Sequence, residues 1–215
     1  MVRFLPLFVG VMPVAGVTAA YLLNVEANIL PSCFPLLEGC TSISSTGRQM
    51  PGSLVFRAVM LPQAAFLLGL WWLAAAWLKQ LKPVSRLVRP MQACGIVGAI
   101  ALVVYVTFLG TKTPFYEFMR HFGIYFYFLG TALAQILLSL AMSRSTLRTG
   151  MLCLIATPFI LGIANLVQKR LVAESDLIEN GIEWTAALFM QLWFVLLFFA
   201  WRATGLKVRI ETDVS

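Results

Sequence analysis

Charge is what this sequence has least of. Of its 215 residues 12% are Asp, Glu, Lys or Arg and 60% are hydrophobic. Soluble domains carry about 25% charged residues, so much of the usual polar covering is missing and lipid must solvate the chain instead. Histidine occurs once, at His121, and the four cysteines form no second pair near it. A zinc site is therefore not supported, and neither a metal nor a cofactor is expected. There is no phosphate-binding loop, HExxH pair or GxSxG elbow. A channel would want a carboxylate ring, an arginine-rich helix or a filter-like glycine loop, and none is present. The net charge of +7 does not point to nucleic acid, because the basic residues lie scattered in short loops between apolar runs.

What the chain has is six apolar runs, each near the roughly 20 residues that cross about 30 Å of hydrocarbon. Helices are expected at about 4–23, 54–78, 91–111, 122–143, 149–168 and 184–201, with one long loop over 24–53. The expected fold class is all-α, a single polytopic bundle of six transmembrane helices over 1–215. The first run is too long for a signal-peptide core and no small-x-small site follows it, so it reads as a retained helix. Pro6, Pro13, Pro62 and Pro158 fall inside runs. Bundled helices tolerate them when neighbours or water satisfy the freed carbonyls.

Lys and Arg divide unequally between the two sides. Arg3, Lys79, Lys82, Arg86, Arg89, Arg144, Arg148, Arg202, Lys207 and Arg209 share one side. Arg48, Arg57, Lys112, Arg120, Lys169 and Arg170 share the other. The positive-inside rule places the richer side, with both termini, in the cytoplasm. Cys33 and Cys40 then lie in the outer loop, where a disulfide can persist, and a bridge between them is expected. Cys94 and Cys153 lie towards the reducing side. The expected location is a bacterial inner membrane or a eukaryotic plasma membrane or endomembrane.

Polar groups gather on the outer side. Arg57, His121 and Glu183 open the second, fourth and sixth helices. Asn165 and Gln168 close the fifth, Glu26 follows the first, and the loop carries Glu38, Arg48, Thr41, Ser42, Ser44, Ser45 and Thr46. Each has a bland explanation: an interfacial histidine, a carboxylate on a helix N-terminus with Trp184 as an anchor, or a snorkelling arginine. Taken together, Arg57 can hold an anionic headgroup while His121 and Glu183 bind it or move protons. Ser42, Ser44, Asn165 and Gln168 would line the substrate site. Gln63, Gln135 and Gln191 lie deeper and read as interhelical hydrogen-bond formers.

The stretch Thr41-Ser-Ile-Ser-Ser-Thr-Gly47, then Pro51 and Phe56-Arg57 leading into a helix, resembles the DRAM/Frag/Sfk superfamily. Phe118-Met-Arg-His121 and Glu183-Trp184 fit the same pattern further on. The resemblance spans nearly the whole chain, from the first loop to the last helix. It implies a six-helix protein of lipid handling or lipid remodelling, with cytoplasmic ends. It also implies functional or motif roles for Ser42, Ser44, Gly47, Pro51, Arg57, His121, Glu183 and Trp184. The partners implied are membrane lipids, with anionic headgroups among them, and the reaction, if there is one, is acyl transfer or deacylation. The alternatives are a non-enzymatic membrane adaptor or regulator of lipid distribution or signalling, in which the basic cytoplasmic loops matter most, and, last, a small transporter or channel.

Overall fold

A computed structural model describes residues 2–82, 84–110, 113–168 and 176–204, with the backbone alone at 165–168. A short 3-10 turn, Val2–Phe4, leads into α1 (Leu5–Glu26). Two small helices follow, α2 (Pro35–Glu38) and α3 (Ile43–Arg48). Then come α4 (Gly52–Leu81), α5 (Val88–Thr107), α6 (Pro114–Ala141), α7 (Thr146–Gln168) and α8 (Asp176–Thr204). Six of these helices are long and apolar enough to cross a membrane, as the apolar runs predict.

The helices outrun the apolar stretches that predict them. α6 begins eight residues before the expected position 122, with Pro114 in its first turn, and α8 begins eight residues before 184. Apolarity ends where hydrocarbon ends, whereas the backbone ladder continues for as long as the residues permit helix. At about 1.5 Å per residue α4, α6 and α8 are each about 42–45 Å long, well beyond the roughly 30 Å of hydrocarbon. Their excess, at the ends of α6 and α8 nearest the loop, builds a polar layer.

The long helices close a ring, each touching the next in the order α1, α4, α5, α6, α7, α8 and back to α1. Fully buried Trp71, Trp77, Trp193, Phe194 and Trp201 fill its centre. The tightest seam joins α5 to α6. There a Cβ at Gly130 would sit 2.8 Å from Cys94 O and 2.9 Å from Gly98 N. Only glycine admits such a backbone approach, the usual device by which helices associate in lipid.

Two of the three deeper glutamines, Gln63 and Gln135, bridge helices through hydrogen bonds. Pro13 has no N–H for the carbonyl of Val9 one turn earlier, and Gln63 Nε2 of α4 donates to that oxygen at 2.8 Å. Gln135 Nε2 of α6 donates to Met190 O of α8 at 3.0 Å. α7 is the peripheral helix: 11% of its most apolar window is buried, against 44% for α1, α4, α5 and α6.

Candidate functional site

The first loop folds over one end of the ring because several side chains pin it there. Fully buried Asn24, near the end of α1, donates Nδ2 to Thr46 O at 3.0 Å and accepts from Gly52 N at 2.9 Å. Tyr21, one turn earlier, accepts from Cys33 N at 2.9 Å. Its hydroxyl donates to the Pro31 carbonyl at 2.8 Å or the Cys33 carbonyl at 2.9 Å. Cys33 and Cys40 are bonded as a disulfide, with Cα atoms 6.6 Å apart.

The start of α8 is stitched to the same loop. Asn180 Nδ2 donates to Gly39 O at 2.8 Å, and Trp184 Nε1 to Thr41 O at 2.9 Å. Gly39 adopts φ +62° with the Leu177 carbonyl directly against it, so a side chain there meets both backbone strain and a collision. One turn of α8 further on, Glu183 Oε1 accepts from Ser44 N at 3.4 Å and Ser44 Oγ at 3.5 Å. Ser44 Oγ also meets the Tyr105 hydroxyl of α5 at 3.0 Å. Ser42 caps α3, accepting from Ser45 N at 3.0 Å, which orients the turn that presents Ser44.

Basic groups border this cluster. Arg48 Nε donates to Ser44 O at 3.2 Å. Its side chain is exposed overall, yet partial desolvation and then the nearby Arg120 guanidinium lower its pKa from the usual range. Among the described residues Arg48 and Glu179 are the charged side chains near enough to act on Glu183.

Below the cluster lies a cavity of about 410 Å³, between α1, α4, α6 and α8, within the roughly 300–1,000 Å³ of small-molecule sites. Val17, Met60, Phe128 and Leu188 give it apolar walls, while Glu183 and Tyr105 stand at its polar end. Gln191 also lines it. That side chain is 5% exposed, lies beside Tyr127, and has no hydrogen-bond partner at Oε1.

The residues expected to converge are distributed differently. Arg57 donates to the carbonyl of Leu109, just past the end of α5, where a cation complements the negative helix terminus. His121 is exposed, with its Nε2 accepting from Arg120 Nη2 at 3.3 Å and its ring beside Tyr125. Among the described residues no hydrogen bond joins any two of Arg57, His121 and Glu183. Gly47 is buried against Leu109 and Phe56, which is a packing role, and Pro51 occupies the N-cap position of α4 with no side-chain cap bond. The side chains of Asn165 and Gln168 lie outside the described residues. Among the described residues no group of three metal-ligating side chains comes together.

Sequence reasoning missed Tyr105 and Arg120. Tyr105 sits inside an apolar run, where an aromatic residue reads as packing. Arg120 was eclipsed by His121, but adjacent helix positions point about 100° apart, and it is Arg120 that is half-buried.

The ring of six apolar helices defines a multi-pass integral membrane protein, with a lidded amphipathic cavity at one end. No protein-family model, curated protein or solved structure matches the chain.

Proposed function

We propose that this protein handles lipid, seating an acyl chain in the 410 Å³ cavity and a polar headgroup among Ser44, Glu183, Tyr105, Arg48 and Arg120. The observation that carries the reading is the junction itself: an apolar chamber ending on a carboxylate, a serine hydroxyl and a phenol, bordered by two guanidiniums. A single-chain amphiphile fits that polarity, and the guanidiniums favour an anionic headgroup such as a phosphate. The loop end is assigned to the extracytoplasmic side, with both termini cytoplasmic. The Lys and Arg bias and the Cys33–Cys40 disulfide support that orientation. The motif residues Ser42, Ser44, Gly47, Pro51, Glu183 and Trp184 all lie at this end, in keeping with the resemblance to the DRAM/Frag/Sfk superfamily.

Binding is supported further than chemistry. Ser44 Oγ stands 3.5 Å from Glu183, outside the roughly 2.6–3.2 Å reach of a working base, although such contacts tighten on substrate binding. This geometry favours a lipid-binding regulator over an acyltransferase. If acyl transfer does occur, Glu183 is the group placed to take the proton from the attacking hydroxyl.

Mass spectrometry of lipids co-purifying with the protein tests the reading. Ala187→Phe, which fills the cavity, is expected to strip the bound lipid, and Arg48→Glu with Arg120→Glu to abolish the preference for anionic species. An unchanged lipid complement in both variants refutes it. Lipid profiles of cells carrying Glu183→Gln that match wild type, where a deletion alters them, exclude catalysis by Glu183.

A further inference from the structure

A groove of about 290 Å³ runs between α6, α7 and α8, away from the loop site. Phe128 and Met190 line both spaces, so these two side chains form the partition between them. The groove's polarity is unusual for a lipid-facing crevice, because among the described residues it carries a buried acceptor that lacks a donor. Gln135 is fully buried on α6 and lines the groove; its Nε2 is committed to Met190 O, and among the described residues its Oε1 has no partner. Turning the amide over would set oxygen against a carbonyl oxygen, so the unpaired atom is an acceptor.

The groove also has a backbone carbonyl freed by proline. Pro158, inside α7, has no N–H for the carbonyl of Leu154 one turn earlier, and both residues line the groove. In α1 the equivalent carbonyl, freed by Pro13, receives Gln63 Nε2. Among the described residues no side chain does the same for Leu154. A buried acceptor without a donor costs about 1–3 kcal/mol, and bulk water is absent from hydrocarbon.

We propose that this groove is a second lipid site, for a neutral lipid whose polar group is a hydroxyl. The hydroxyl donates to Gln135 Oε1, and the hydrocarbon lies along Leu129, Ile155 and Phe159. Among the described residues no charged side chain lines the groove, so an ionised headgroup finds no counter-charge among them and is selected against. A fully esterified lipid brings no donor and leaves Gln135 Oε1 unpaired. The site does not use Glu183, so it stands or falls separately from the loop site.

The test uses the full chain in nanodiscs with a diacylglycerol carrying a diazirine in one acyl chain, followed by peptide mapping of the cross-links. Labelling is expected to concentrate at residues 125–135 and 154–159. Unlabelled diacylglycerol should compete about fivefold better than its O-acetylated ester, as expected for one hydrogen bond. Ala132→Phe should fill the groove and abolish that labelling, Gln135→Met should bring the two competitors close to parity, and Glu183→Gln should change neither. Equal competition by the ester, or labelling spread evenly over the lipid-facing helices, overturns the proposal. The competition experiment on the unmodified protein decides this even if a variant fails to fold.

Discussion

Replacing Asn24 with alanine should unlatch the loop without unfolding the bundle. Asn24 is fully buried and spends both ends of its amide: one on Thr46 O at 3.0 Å, the other on Gly52 N at 2.9 Å. Alanine removes both bonds and leaves a buried carbonyl and a buried N–H unpaired, unless the loop lifts to let water reach them. Each orphaned group costs about 1–3 kcal/mol, so the closed loop should lose about 2–6 kcal/mol relative to the open one. At 1.36 kcal/mol per decade, the open population rises about 30-fold to about 25,000-fold. Hydrogen exchange reads this directly: amides at residues 44–53 should exchange faster by that factor, while those at the α5–α6 seam do not change. Asn24→Asp keeps an acceptor for Gly52 N but loses the donor to Thr46 O, so it also tests whether one bond suffices. Acceleration in Asn24→Ala of less than about threefold would refute the assignment of Asn24 as the latch.

Four further outcomes follow from the same contacts. Cys33→Ser with Cys40→Ser opens a loop of sequence separation 7; chain entropy puts the cost at about 2.5 kcal/mol, measurable as faster exchange at residues 31–42 and faster proteolysis there. Gly39→Ala meets a positive φ and the Leu177 carbonyl. It should lower thermal stability in detergent by about 2 kcal/mol or more, whereas alanine at Gly69, which meets nothing within 4 Å, should be neutral or stabilising. Gln63→Leu should cost about 1 kcal/mol of stability in a wild-type background and much less alongside Pro13→Ala, which restores a donor to Val9 O; additivity within about 0.3 kcal/mol would break the pairing. Charge reversal at Lys79, Lys82, Arg86 and Arg89 should leave co-purifying lipid unchanged; loss of lipid there, with the loop-end variants inert, would favour the adaptor reading.

The six helices were legible because hydrocarbon thickness imposes a length that a hydropathy window can read. Their ends were not, because nothing in a run such as Pro114–Arg120 marks where lipid gives way to interface within one continuous helix. The layer holding the candidate site was legible too: Arg57, His121 and Glu183 do lie at the loop-covered end. Their convergence could not be read, since position along a helix fixes height but not which neighbour a side chain faces. Arg57 turns to the end of α5, His121 turns outward, and Ser44 and Tyr105 reach Glu183 instead. Asn24 gave even less signal. A lone polar residue near the end of a span reads as a terminus, and only the fold reveals its two backbone partners.

If both spaces take lipid as proposed, the contrast between the loop end and α7 has a mechanical consequence for how it reaches them. The loop is held by Asn24, Tyr21, Asn180, Trp184 and a disulfide, so opening it breaks several bonds at once. α7 is held by little: its window is the least buried of the six, and it touches α6 far less than α5 does. On that reading a chain entering from the bilayer between α6 and α7 passes the least buried helix, and Phe128 and Met190 line both the groove there and the cavity under the loop. Both are side chains that can change rotamer without backbone movement, and methionine adapts readily to a new neighbour. Sideways entry through this partition would fill the loop cavity while its lid stays shut. In that case a disulfide that locks the loop leaves loading intact, whereas a bulky residue at Ala132 slows it.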